Sequence, residues 1–132
     1  MSPTEQMLEL AGEARSRAYA PYSGFCVGAV LRGASGQLYS GCNVENAAYP
    51  QSQCAEASAI GALVTAGERR IIEVLVLGTG SDHVPPCGGC RQRLSEFAAP
   101  DTPVHLCAEG AEAMTVTMAD LLPLAFGQDH LR

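Results

Sequence analysis

No lysine and no tryptophan occur in this chain, and aromatic residues make up only 5% of it. All eight basic residues are arginines, scattered except for Arg69-Arg70 and the Arg91/Arg93 pair, and 14 acidic residues bring the formal charge to -6. A nucleic-acid scaffold or a binder of anionic membranes needs a basic stripe, so neither partner is expected. No apolar run approaches the roughly 18 residues of a membrane span. The opening Met1-Ser2-Pro3-Thr4-Glu5 lacks the basic-then-apolar layout of a signal peptide, so a cytoplasmic setting is expected. With so few aromatic rings, the core must be built from aliphatic side chains. Apolar residues supply 47% of the 132 positions and charged ones 17%, with mean hydropathy +0.08. That composition excludes a disordered chain and predicts one compact domain over residues 1–132.

Ser2-Pro3-Thr4-Glu5 reads as a helix start, with a Ser cap, Pro in first position and Glu three residues after the cap. Met7, Leu10, Ala11, Ala14 and Ala18 continue it at helical spacing. Residues 25–31 and 37–42 read as strands joined in a hairpin across Gly33-Ala34-Ser35-Gly36. After a polar stretch, Ser52 or Gln53 opens a second helix that Gly67 stops. Residues 71–77 are almost continuously apolar, as suits a central strand covered on both faces. Pro86 takes the first position of a third helix that carries Cys90, Leu94 and Phe97 on one face. Residues 104–107 and 114–118 complete the strands, and 119–124 form a closing turn or helix. Strands alternating with helices after an opening hairpin predict an α/β fold: a three-layer α/β/α sandwich around one mixed sheet of about five strands.

In a reducing compartment the six cysteines must be buried, catalytic or metal-bound. Cys26, Cys42 and Cys107 fall in or beside apolar strand-like stretches and read as small buried hydrophobes. Cys54, Cys87 and Cys90 lie among small and polar residues at helix starts. Positions three apart share a helix face, so Cys87 and Cys90 can aim at one ion. In first turns, the open N–H groups and the dipole favour thiolate at Cys87 and Cys54. Two helix tips meeting at the end of the sheet then offer three thiolates to one cation. Three protein ligands leave tetrahedral zinc an open corner, the arrangement of a catalytic site.

Glu56, two residues from Cys54, stands where it can reach that corner as general acid and base. Other readings stay open at this point. A closed structural zinc site would need a fourth ligand, for which His83 is the near candidate. A C-x-x-C also serves redox exchange, though that leaves Glu56 unused. A small zinc-stabilised binding protein is the non-enzymatic reading.

Cys54-Ala55-Glu56 with Pro86-Cys87-Gly88-Gly89-Cys90-Arg91-Gln92 resembles the zinc signature of the cytidine deaminase superfamily in its three-cysteine form. Three further stretches are similar to the short, homotetrameric free-nucleoside cytidine deaminases. They run from Ala20-Pro21-Tyr22-Ser23-Gly24-Phe25 to Ala29, from Gly41 to Tyr49, and from Asp120 to Gly127. Together they cover almost the whole chain in the family's order. The resemblance implies hydrolytic deamination of cytidine and deoxycytidine in pyrimidine salvage, with one Zn²⁺ per subunit on Cys54, Cys87 and Cys90. It implies proton shuttling by Glu56, ribose contacts from Asn43 and Glu45, packing of Phe25 on the pyrimidine and backbone contacts around Ala55. Ala47, Tyr49 and Phe126 would approach a neighbouring subunit's site, so a homotetramer is expected and a monomer should be inactive. Many relatives carry Arg directly after Cys-Ala-Glu, where this chain has Ala57. A dication on three thiolates keeps one net negative charge and needs nearby positive charge to acidify water. Arg91, next to Cys90, is the expected source. A related aminonucleoside or antibiotic deaminase is the alternative within the enzyme class.

Overall fold

The structure is a computed structural model in which residues 1–131 are described. Helix α1 (Pro3–Ser16) leads into the hairpin of β1 (Gly28–Gly33) and β2 (Leu38–Cys42). There follow α2 (Ala55–Thr65), β3 (Ile71–Leu77), α3 (Gly88–Ser95), β4 (Pro103–Cys107), β5 (Met114–Thr117) and α4 (Met118–Leu121). The sheet order is β2-β1-β3-β4-β5, with β3 and β4 parallel and the other neighbours antiparallel. It is the mixed five-stranded sheet that the sequence predicts.

Alternation along the strands sorts the core into two layers. Leu31, Val74, Val76 and Val104 pack with Ala59 and Leu63 of α2 and Leu94 of α3. Val30, Leu75, Leu77 and Cys107 pack against Met7 and Ala11 of α1 on the other face. Neighbours in β3 therefore serve opposite layers, as a strand covered on both sides requires. Leu63 and Leu94 are fully buried, and each such side chain contributes about 2 kcal/mol through removal from water. Among the described residues no helix is long and apolar enough to cross a membrane.

Two glycines set the helix–sheet distances. A Cβ on Gly28 would fall onto the Ala11 carbonyl, and one on Gly41 would come within 2.6 Å of the Ala55 carbonyl oxygen. The absent side chain at Gly41 lets the first turn of α2 rest on β2, close to Asn43.

The expected boundaries shift in places with physical causes. Residues 25–27 are not part of β1, because side chains take their amides. The Phe25, Cys26 and Val27 N–H groups donate to Ser23 Oγ, Thr79 Oγ1 and Asn43 Oδ1. Cys26 therefore sits half-buried in a loop rather than inside a strand; Cys42 ends β2 half-buried, and Cys107 is buried as expected. Helix α2 starts later than Ser52 or Gln53, because Gln53 and Val44 exchange backbone hydrogen bonds of 2.8 and 2.9 Å. Pro86 does not open α3; Cys87 is extended at φ -65°, ψ 167° and the helix begins at Gly88. Phe97 lies beyond its end.

Candidate active site

Cys54 and Cys87 are the N-cap residues of α2 and α3, one step ahead of the first turns in which they were expected, and Cys90 sits buried within α3. The Cys54 sulfur closes no capping hydrogen bond to α2, the Cys87 sulfur lies by the Cys90 amide, and both face a common point. All three sulfurs lie within 4.8 Å of one another, with Cys54 and Cys87 3.9 Å apart. Tetrahedral zinc, with Zn–S near 2.3 Å, sets its sulfurs about 3.8 Å apart. The three thiols therefore fit that ion. Among the described residues the group has no fourth member. His83, the candidate for a closed site, instead donates through Nε2 to the Glu112 carbonyl at 2.6 Å. A third sulfur beside the C-x-x-C pair also separates the site from a redox dithiol.

The helix tips act on the sulfurs unequally. At Cys87 the backbone N–H of Cys90 is the largest influence and holds the thiol below its usual value. Burial pushes the Cys54 thiol up and the Cys90 thiol far above its ordinary value. Glu56, in the first turn of α2, is only 4% exposed. Burial raises its carboxyl, while its own backbone amide, the Cys90 thiol and the Arg93 charge pull the other way. A buried carboxyl beside three convergent sulfurs can serve as an acid–base group next to a candidate cation site.

Phe25, Asn43, Glu45, Ala55 and Glu56 line one cavity of about 230 Å³ together with Cys54 and Cys87. Asn43 is clamped inside the chain: Oδ1 accepts from the Val27 amide at 2.9 Å and Nδ2 donates to the Phe25 carbonyl at 2.8 Å. Glu45 accepts from the Tyr22 and Ser23 amides at 2.9 and 3.1 Å and from the Ser23 hydroxyl. The Ser23 hydroxyl is the largest influence holding the Glu45 carboxyl below its ordinary range. Both side chains are thus oriented before any ligand arrives.

Ala47, Tyr49 and Phe126 stand outside this cavity. Ala47 is exposed, Tyr49 makes an edge contact with Tyr22 at 5.9 Å, and Phe126 stacks on His130 at 5.3 Å. Arg91 donates through Nε to the Pro86 carbonyl at 2.8 Å and through Nη1 to the Leu121 carbonyl at 3.0 Å. It ties the approach to Cys87 onto α4. Sequence reasoning passed over Ser23, Val84, Pro85 and Arg93. The first three line the cavity, and their signal was only adjacency to Phe25 and to Pro86-Cys87.

Sheet topology, paired helix tips and a three-sulfur group define an α/β protein with a candidate metal centre. Residues 1–106 match the family model described as the cytidine and deoxycytidylate deaminase zinc-binding region. The chain belongs to this family. It is 39% identical over 127 residues to a cytidine deaminase of Sporosarcina psychrophila, covering 96% of this chain and 93% of the relative. A cytidine deaminase of Halalkalibacterium halodurans is 38% identical, with 96% of each chain covered. The crystal structure of cytidine deaminase from Burkholderia pseudomallei superposes with a TM-score of 0.89 at 39% identity, covering 96% of this chain and all of that one (100%).

Proposed function

We propose that this chain is a zinc-dependent hydrolase that converts cytidine and deoxycytidine, with water, to uridine and deoxyuridine plus ammonia, in pyrimidine salvage. The observation that carries the reading is the convergence of Cys54, Cys87 and Cys90 within 4.8 Å beside buried Glu56, at a cavity of about 230 Å³. Zinc held by those sulfurs supplies the Lewis acidity that makes water nucleophilic near neutral pH. Glu56 takes the proton from the attacking water and delivers it to ring N3, which makes C4 electrophilic. It then takes the proton of the new C4 hydroxyl and passes it to the departing amine, so the C4 carbonyl forms, ammonia leaves and the carboxylate is regenerated. Its raised carboxyl value supports that double duty, because proton transfer in both directions is easiest near the working pH.

Asn43 and Glu45 hold the ribose hydroxyls, an amide and a carboxylate together offering donor and acceptor. Phe25 packs on the pyrimidine, and the backbone around Ala55 meets the pyrimidine carbonyl. Ala47, Tyr49 and Phe126 extend toward a neighbouring subunit in a cytoplasmic homotetramer, and Tyr49 and Phe126 are 70% and 56% exposed on the single chain. Turnover on a nucleoside panel, before and after stripping the metal with a chelator, tests the reading. Cytidine deamination that disappears on chelation and returns with one zinc per chain is expected. Activity indifferent to the metal, or no activity on any pyrimidine nucleoside, overturns it.

A further inference from the structure

A dication on three thiolates retains one net negative charge, and Glu56 stands beside it. Residue 57, one step beyond that carboxylate, is an uncharged Ala in this chain. Helix α3 carries two arginines that could balance the centre, and they are not equivalent. Arg91 spends Nε and Nη1 on two backbone carbonyls. Arg93 has no hydrogen-bond or ion-pair partner among the described residues.

The geometry of Arg93 follows from helix periodicity. It stands three residues after Cys90 and four after Gly89, so it shares their face. Long side chains on a helix lean toward its N-terminus. The Arg93 guanidinium accordingly folds back over the first turn of α3, where a Cβ on Gly89 would lie 3.0 Å from Nη1. A cation in a last turn would ordinarily complement the carbonyls there. This one instead covers the turn between two of the sulfurs, and its charge is felt at Glu56.

We infer that Arg93 is a positioning residue for the metal centre, its unpaired guanidinium over Gly89 offsetting the surplus negative charge of the three thiolates and so strengthening metal retention. The inference rests on the zinc reading above, and it assigns to Arg93 the compensation that sequence adjacency gave to Arg91. Uptake of the ion turns neutral thiols into an anionic cluster, so a neighbouring cation favours the loaded state. The side chain is exposed, which limits the effect through solvent screening.

The test measures zinc retention by competition against a chromogenic chelator, at fixed pH, for wild type, Arg93→Ala, Arg93→Lys and Arg70→Ala. Arg70→Ala removes the same charge at the start of β3, at the other end of the strand from Val76 in the cavity. Arg93→Ala is expected to lose zinc roughly three- to tenfold more readily in low salt, on the scale of one screened charge. The loss should shrink in 0.5 M salt, as roughly a 4 Å Debye length implies, and Arg93→Lys should restore most of it. Circular dichroism confirms folding of each variant. Wild-type retention by Arg93→Ala, or an equal loss in Arg70→Ala, overturns the inference while leaving the zinc reading intact. A wild-type chain that takes up no zinc overturns the zinc reading, and the inference with it.

Discussion

The N-terminal ends of α2 and α3 face one another, yet they are built from opposite materials. Helix α2 is apolar along most of its length and buries Ala55, Glu56, Ala59, Ile60 and Leu63. It delivers one sulfur and one carboxyl into the protein. Helix α3 is short and polar, burying only Cys90 and Leu94, and it delivers two sulfurs and two arginines. One tip is rigid because the core holds it; the other is shaped by proline, glycine and charge. In the function proposed above, proton handling falls to the packed side and charge balance to the solvent-facing side. This division is physically sensible, since a proton carrier gains from a dry, fixed setting and a screening cation does not need one.

The largest expected effect breaks the packed side chemically. Glu56→Gln keeps shape and burial but cannot accept and return a proton, so kcat should fall by about three orders of magnitude while one zinc per chain is retained. Steady-state kinetics with metal analysis check this, and near-normal turnover would remove Glu56 from the reaction. A smaller effect contrasts the seats of the two helices. Gly41→Ala forces a methyl against the Ala55 carbonyl and the Ala59 amide and should cost about 1–3 kcal/mol. Gly88→Ala, in the first turn of α3, meets nothing within 4 Å and should be neutral or stabilising by up to about 1 kcal/mol. Thermal unfolding of both variants decides it, and equal losses would erase the distinction.

The smallest effect lies away from both tips, where Glu73 pairs with Arg32 Nε at 3.0 Å and His105 Nε2 at 2.7 Å. Burial alone would raise the Glu73 carboxyl, but His105 and Arg32 outweigh it and hold it low. Such a depressed carboxyl contributes stability that is present above its unfolded value and lost as pH falls through the folded one. Glu73→Gln should therefore flatten acid destabilisation between roughly pH 5 and 3, by about 1 kcal/mol. Urea titrations across that range measure it, and an unchanged pH dependence would deny the pair any role.

What the sequence made legible follows the range of the forces involved. The five strands, the doubly buried β3 and the three convergent cysteines come from periodicity and residue chemistry, which act locally. The helix start at Ala55 was missed because Gln53 is captured by Val44, a contact that closes only in the folded chain, and the start at Gly88 because Cys87 stays extended. Residues 25–27 looked like strand because they continue the apolar run of β1, but their amides found side-chain acceptors elsewhere. Arg91 drew attention through adjacency to Cys90, whereas Arg93 depends on where a flexible side chain comes to rest. The polar row of Arg32, Glu73 and His105 was invisible for the same reason, since it exists only through strand register.

The Asn43 clamp has a bearing on ligand capture that is a matter of counting. A carboxamide has two hydrogens to give and two lone pairs to share. Phe25 and Val27 claim one of each, leaving one hydrogen and one lone pair for the sugar of the proposed substrate. In the proposed nucleoside complex, Asn43 can therefore meet the guest without releasing the Phe25–Val27 segment, and whatever steadies Asn43 also steadies that segment.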